Sequence, residues 1–592
     1  MQVLLFLAAA LFAQDIFTVR TFHQVAISPD GKRVAWAERD HGIWVSDVEG
    51  GNRKQLTTGD DESLGWSPDS AHLAYVTKGK LHVDGTPVTD VKGVLAEPRW
   101  SPDGKSIAFL FIENAARSAG PLVAMSRPVG VIEEHVDEQR IAIIDAATKQ
   151  LRIVTPANMY VYHFDWSPDS KQIAAVAAPG SGDNNWWIAQ LHVVDVGAAT
   201  IKPIYKPELQ IANPRWSPDG TRIAFIEGLM SDEGSTGGDL FVIPAGGGER
   251  RNLTPNLKAS VTSFRWLSSD SILLSEVVAG DDAFVQLGVG DGSMQTLWRG
   301  AEGIQWSFAS GKSGVVRSSF RKPPEVWAGP IGNWKQLTQV NTMAIPWGEG
   351  QSVHWHSDDF DVQGWLLGPA NVDPNKKYPL VVSIHGGPAS AALASFPREQ
   401  NAALAAAGYF VFMANPRGSY GQGEAFTRAN VKDFGGGDLR DILAGVDAVL
   451  KEHPMIDANR VGVWGWSYGG FMTMWTVTQT NRFRAAVAGA GVANWQSYYG
   501  ENDIDEWMIP YFGATVYDDP AVYAKTPMLV LVGERDGECP APQSFEFWHA
   551  LKTLGVDTQL VVYADEGHSI RNLEHRRDIA RRLVQWFDSH MK

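Results

Sequence analysis

Gly465-Trp466-Ser467-Tyr468-Gly469-Gly470 follows the apolar run Arg460 to Trp464 and precedes a helix-compatible stretch, Phe471 to Thr480. The order is strand, tight turn, helix. Glycines at 465 and 469 leave room for a backbone turned sharply enough to lift the Ser467 hydroxyl clear of its neighbours, the arrangement of a nucleophile elbow. The following helix aims the positive end of its dipole at that hydroxyl. A Gly-x-Ser-x-Gly pentapeptide also recurs by chance, so its meaning depends on what the rest of the chain supplies.

Two downstream segments supply the context. Met528 to Val532 is a short apolar run ending in Gly533-Glu534-Arg535-Asp536, and Gln559 to Tyr563 ends in Ala564-Asp565-Glu566-Gly567-His568. Both runs have the length of strands, which puts Asp536 and His568 just past two strand carboxyl ends, where open α/β sheets place their ligands. Taken singly, an Asp after a strand is a common helix cap and a His beside Gly a common loop residue. In the order Ser467, Asp536, His568 they form a candidate catalytic triad. Tyr378 to Ile384 reads as another strand, running into His385-Gly386-Gly387-Pro388. Small residues there let the backbone approach a substrate, and the amides of Tyr468 and Gly387 are the candidate pair of oxyanion donors.

Composition agrees with a large, water-exposed enzyme. A chain of 592 residues exceeds what one hydrophobic core supports, so at least two domains are expected. Its net charge of -16 weighs against nucleic acid or an anionic membrane as partner, and 44% hydrophobic with 20% charged residues is a globular composition. The single cysteine, Cys539, excludes an internal disulfide and a cysteine-built metal site; it reads as a small packing residue beside the Asp536 loop. Residues 1–14 read as a signal peptide, with Val3 to Phe12 as apolar core and Ala13 before the cleavage point. Against this, no Lys or Arg precedes the core and Leu11 is not small. The stretch is too short to span a bilayer and no other is apolar for long enough, so no integral membrane segment is expected. Export to the periplasm or the extracellular space follows if the signal reading holds, and a cytoplasmic protein if it does not.

The first half of the chain is repetitive. Ser28-Pro29-Asp30-Gly31 recurs as Trp66-Ser67-Pro68-Asp69-Ser70, Trp100-Ser101-Pro102-Asp103-Gly104, Trp166-Ser167-Pro168-Asp169-Ser170 and Trp216-Ser217-Pro218-Asp219-Gly220, with degenerate copies at Trp266 and Trp306. A short apolar strand follows each intact copy. Pro with Asp-Gly or Asp-Ser suits a tight turn between antiparallel strands, and the Trp ahead of it can pack between neighbouring sheets. The seven copies lie 39, 34, 66, 50, 50 and 40 residues apart. Propeller blades take about 40 to 45 residues each, so the spacing predicts seven blades. The 66-residue interval leaves room for an insertion that includes Glu133 and Glu134, read as a solvated charged face. The expected organisation is an all-β seven-bladed propeller over residues 15–340 and an α/β-hydrolase domain over residues 341–592.

A repeat-built propeller ahead of a Gly-Trp-Ser-Tyr-Gly-Gly hydrolase resembles the prolyl oligopeptidase family of serine peptidases, in particular its acylaminoacyl-peptidase and dipeptidyl-peptidase branches. The likeness extends to His385-Gly386-Gly387-Pro388, Asn415-Pro416-Arg417-Gly418, Gly435-Gly436-Gly437-Asp438, Asn494-Trp495 and Glu566-Gly567-His568. The resemblance implies Ser467 as nucleophile, His568 as general base and then acid, and Asp536 as the group that orients His568. It implies acyl transfer on short peptides, with folded proteins kept out by the propeller and neither metal nor organic cofactor required. It also implies an apolar S1 pocket lined by Val492, Trp495 and Tyr498, residues that serve equally well as core. Oligomeric state is left open.

Two features depart from the family pattern. Glu538, two residues after the triad Asp, stands where relatives carry an Arg or Asn that donates to the substrate's P2 carbonyl; an ionised carboxylate cannot donate. The link from Asp519 to Pro527 is several residues short. Glu133 and Glu134 lack the local sequence of the paired glutamates that receive a free amino terminus in one branch. A carboxylesterase would use the same triad, though simple esterases rarely carry such a filter. A noncatalytic propeller scaffold would need no triad at all.

Overall fold

A computed structural model describes residues 16–115, 120, 122–125, 137–180, 183–515, 530–553 and 556–591. The candidate signal peptide, Glu133, Glu134 and the 519–527 link lie outside these residues.

Seven four-stranded antiparallel sheets span residues 22–55, 62–87, 93–153, 159–205, 210–252, 260–300 and 303–336, each with its strands in chain order. They are the seven blades that the repeat spacing predicts. Each intact turn holds itself with one aspartate. Ser28 Oγ donates to Asp30 Oδ1 at 2.6 Å and the Lys32 amide donates to the same oxygen at 3.0 Å; the same pair of bonds recurs at Asp69, Asp103, Asp169 and Asp219.

The fourth turn residue has positive φ throughout, +70° at Gly31, +72° at Gly104 and +71° at Gly220, but also +63° at Ser70 and +62° at Ser170. Those two serines offset the strain with a bond that glycine cannot make. Ser70 Oγ accepts the Asp30 amide of the preceding blade at 3.0 Å, and Ser170 Oγ accepts that of Asp103 at 3.1 Å. The repeat tryptophans join the same neighbours: Trp66 Nε1 donates to Ala26 O, Trp100 to Gly65 O, Trp166 to Arg99 O and Trp266 to Arg215 O, at 3.0 to 3.2 Å. Blades one and seven meet without sharing a strand, through an apolar cluster of Val25, Ile27, Val34, Ala309 and Val316.

The 66-residue interval is the insertion expected there. It joins the second and third strands of the third blade, Ser106–Glu113 and Gln139–Asp145.

The second half forms one eight-stranded sheet: β1 (Trp347–Ser357), β2 (Phe360–Pro369), β3 (Tyr378–Ile384), β4 (Phe410–Asn415), β5 (Ile456–Trp466), β6 (Ala485–Gly489), β7 (Val530–Gly533) and β8 (Val561–Tyr563). Its spatial order is β1-β2-β4-β3-β5-β6-β7-β8, and every pair from β4 to β8 is parallel. Helices α1 (Glu399–Ala406), α2 (Gly437–Glu452), α3 (Tyr468–Gln479), α4 (Ala541–Thr553) and α5 (Leu573–Met591) connect and cover the strands. In α5 the buried residues Ile579, Ala580, Leu583 and Phe587 recur at helical spacing on one stripe, as a face packed on a sheet requires. Ile16 and Phe17, inside the stretch expected to be propeller, are buried in this hydrolase core with Trp347, Leu583 and Phe587.

Candidate active site

Three loops at the carboxyl ends of β5, β7 and β8 bring Ser467, Asp536 and His568 to one end of the sheet. Ser467 caps α3 at φ +61° and ψ -125°, a conformation forced by its neighbours. A Cβ on Gly465 would lie 2.3 Å from Gly469 O, and one on Gly469 2.1 Å from Ile384 O, so only glycine fits at either position. The Ser467 amide is tied to Gly489 O at 3.0 Å.

Asp536 turns back on its own loop. Its Oδ1 accepts the amides of Glu538 at 3.0 Å and Cys539 at 2.8 Å, while Oδ2 lies 2.9 Å from His568 Nδ1. Trp466 Nε1 donates to His568 O at 3.2 Å and ties the loop after β8 to the elbow. Burial raises the Asp536 carboxyl above its ordinary range, against the pull of His568. Burial alone would depress His568, but Asp536 and Glu538 together hold it well above an ordinary imidazole. The second carboxylate is the unexpected one: Glu538 Oε2 lies 2.9 Å from His568 Nε2, the nitrogen on the far side of the ring from Asp536. Cys539 is buried as expected, its thiol pushed well up by burial and by the two carboxylates, and it lies against the Ser467 hydroxyl.

The His385 turn packs on the elbow. A Cβ on Gly386 would stand 3.1 Å from Ser467 Cβ, and Gly387 has φ +115°. His385 is a structural residue of that turn, with Nδ1 2.8 Å from Gly386 O and Nε2 2.9 Å from Ser419 Oγ; burial lowers it to about 4, so it is neutral. Tyr468, whose amide is the other candidate donor, is anchored through its side chain: the buried hydroxyl donates to Asp438 Oδ2. Asp438 in turn accepts the Gly435 amide at 3.1 Å and the Leu439 amide at 2.8 Å. The Gly435 to Asp438 motif therefore fixes the side chain of the residue that follows Ser467.

Val492, Trp495 and Tyr498 are all buried. Trp495 packs on Phe471 of α3 with ring centroids 4.9 Å apart, and on Phe434, Tyr498 and Phe512. They stand together beside the elbow, within one aromatic cluster.

Sequence reasoning passed over two propeller segments that reach this site. From the third-blade insertion, the Met125 amide donates to Arg535 O at 3.1 Å, Arg535 Nε returns a bond to Met125 O at 2.7 Å, and the Ser569 amide donates to Leu122 O at 3.3 Å. Loops carrying Asp536 and His568 are thus strapped by one short stretch of propeller. From the fifth blade, the loop between Arg222–Gly228 and Asp239–Pro244 brings Ser231 and Ser235 onto Ala389 O, beside the His385 turn, with Asp232 next to them. Its unusual length for a turn between adjacent strands was the available signal. Among the described residues, no group of His, Cys, Asp and Glu is arranged to hold a metal, and no helix is long and apolar enough to cross a membrane.

The prolyl oligopeptidase family model matches residues 395–592. Along its length the chain is 28% identical to the uncharacterized peptidase YuxL of Bacillus subtilis, covering 98% of this chain and 99% of that one. It is 23% identical to dipeptidyl-peptidase 5 of Porphyromonas gingivalis over 97% and 94% of the two chains. The fold superposes on acylaminoacyl peptidase of Pyrococcus horikoshii with a TM-score of 0.79, at 19% identity and over 98% and 97% of the two chains. The carboxyl-terminal third of the chain thus matches the prolyl oligopeptidase family of serine peptidases, and its peptidase relatives and structural neighbours extend the likeness over the propeller.

Proposed function

We propose that this peptidase cleaves short peptides by acyl transfer from Ser467, with His568 as general base and then acid and Asp536 holding the imidazole. The observation that carries the reading is the 2.9 Å contact of Asp536 Oδ2 with His568 Nδ1, on loops that flank the strained elbow of Ser467. His568 takes the Ser467 proton as the hydroxyl attacks the scissile carbonyl, and the amides of Tyr468 and Gly387 receive the oxyanion. Protonated His568 then gives its proton to the departing amine, and water hydrolyses the acyl-enzyme by the same route. Val492, Trp495 and Tyr498 favour an apolar P1 residue, since burying apolar surface contributes about 25 cal/mol per Å². The propeller admits short peptides and flexible tails. Names carried by relatives, dipeptidyl-peptidase 5 and acylamino-acid-releasing enzyme, agree with cleavage near a peptide's amino terminus. Residues 1–14 export the protein.

The test is hydrolysis of chromogenic peptide amides with an apolar P1 residue, alongside labelling by an active-site serine reagent. Ser467→Ala and His568→Ala lower kcat/KM by at least about 10⁴-fold while leaving the thermal midpoint near that of the wild type. Retained turnover in either purified variant would remove the mechanism.

A further inference from the structure

Glu538 sits where the reaction needs an empty place. Its side chain is 6% exposed, its amide is fixed by Asp536 Oδ1 at 3.0 Å, and its Oε2 occupies His568 Nε2 at 2.9 Å. That nitrogen has to accept the Ser467 proton, so carboxylate and hydroxyl compete for it. An imidazole clamped between two carboxylates is held as imidazolium, which cannot act as a base. Against the Gly387 turn, where a Cβ would lie 3.2 Å from Ser231 Oγ, stands Asp232 of the fifth-blade loop, its Oδ2 accepting the Ser231 hydroxyl at 2.7 Å. Burial, and then the Glu538 charge, push Asp232 up to about 6, with His568 pulling the other way. Tyr511, 1% exposed, lies in the field of Asp232 with its hydroxyl toward Ser231. Asp536 and Glu538 thus contact one imidazolium from both sides, Asp232 adds its charge to the same site, and a desolvated excess of negative charge is costly until a second cation arrives.

We propose that Glu538 is a specificity-determining residue which, with Asp232, receives an ammonium group of the substrate near P2 and releases His568 only when that group is bound. The inference rests on the peptidase reading above and names its substrate class. An atom in contact with Nε2 lies within two hydrogen-bond lengths, about 6 Å, of any other group that nitrogen serves. The amine of an extended dipeptidyl substrate lies about as far from its scissile carbonyl. When the ammonium pairs with Glu538 and Asp232, the Nε2 proton passes to water, Nδ1–H stays on Asp536, and neutral Nε2 faces the Ser467 hydroxyl. A blocked substrate leaves Glu538 where it is.

Three p-nitroanilides with the same apolar P1 residue test this: a free dipeptidyl one, its N-acetylated counterpart, and an N-acetylated one with Lys at P2. The wild type turns over the free dipeptide with kcat/KM at least tenfold above the acetylated one. The Lys substrate tells whether a side-chain ammonium serves as well as the amino terminus. Glu538→Gln, close in shape, reduces the preference below threefold, chiefly by raising KM for the free dipeptide. The same change moves the acid limb of kcat/KM for the acetylated substrate to lower pH, because the imidazolium loses a carboxylate neighbour. Asp232→Asn, outside the catalytic loops, weakens the preference in the same direction. A wild type that prefers the acetylated substrate, or a Glu538→Gln variant with unchanged preference and acid limb, overturns the assignment alone. No turnover of any of the three, with Ser467 unlabelled by a serine reagent, would remove the peptidase mechanism and this assignment with it.

Discussion

The propeller turns and the nucleophile elbow both hold a serine at positive φ, and they do so for opposite ends. At Ser70 and Ser170, φ near +60° is accompanied by a side-chain bond to the preceding blade, and the same position is Gly in three sister turns. At Ser467, φ is +61°, but the side chain makes no capping bond with its helix and the surrounding glycines leave the residue no other conformation. In the ring the strain is local, compensated and repeated. At the elbow it is single and leaves the hydroxyl available for chemistry. Strained backbone alone therefore does not mark a site, as Ala199 and Ala279 at φ +52° and +48° in propeller turns also show.

Substitution of Ser467 by Ala and by Gly gives the sharpest contrast. Both variants lose turnover by at least about 10⁴-fold, yet Ser467→Gly is more stable than Ser467→Ala by about 1 kcal/mol, because only glycine occupies that backbone region freely. Equal thermal midpoints would show an unstrained elbow. Next in size is Tyr468→Phe, which leaves the buried Asp438 carboxylate without its hydroxyl donor. Stability falls by about 1–3 kcal/mol and kcat falls with KM little changed, since the adjoining amide loses its anchor. Unchanged kinetics would detach the Gly435 to Asp438 motif from the proposed oxyanion role of the Tyr468 amide.

In the propeller, Ser70→Ala costs about 1–2 kcal/mol, having lost the interblade bond while keeping the strain, whereas Ser70→Gly is close to neutral. Equal losses in urea unfolding would mean that the hydroxyl carries no compensation. The smallest effect concerns pH. The Ser67 hydroxyl and the Ala71 amide hold Asp69 below its ordinary value. A lowered carboxylate contributes stability above its unfolded value near 3.8 and loses it as pH falls through the lower folded one. Asp69→Asn therefore lowers the thermal midpoint slightly at pH 7, and the gap to the wild type narrows below pH 4. A gap constant across that range would assign the turn's stability to shape alone.

Most of the architecture was legible because its signals are local. Seven copies of one turn count the blades, and a strand-turn-helix with flanking glycines fixes the elbow. The sequence order Ser467, Asp536, His568 also suffices to place three residues at one end of a parallel sheet. What escaped was contact between distant segments. Nothing in Leu122 to Met125 says that it binds Arg535 and Ser569, some four hundred residues on, and Asp232 is one acid among many in a chain of net charge -16. Glu538 was visible as a departure from pattern, but its 2.9 Å approach to His568 Nε2 depends on how the Asp536 loop curls, which Oδ1 of Asp536 decides by holding two amides. The aromatic residues 495 and 498 could be read as pocket or core from composition, and their mutual packing is what core and pocket wall share.

Ile16 and Phe17 give the chain an order of assembly. They lie under α5 in the hydrolase core, with Arg576 and Arg577 over the Phe17 ring, so the propeller is in effect an insertion between the first strip of the hydrolase and the rest of it. On a ribosome that strip emerges before any blade and waits through some three hundred residues of ring before its partners appear. The blades, each built from neighbours in sequence, can close as they are made, while the hydrolase core is completed only when its final helix arrives. Closure of the hydrolase core is thereby tied to the arrival of α5.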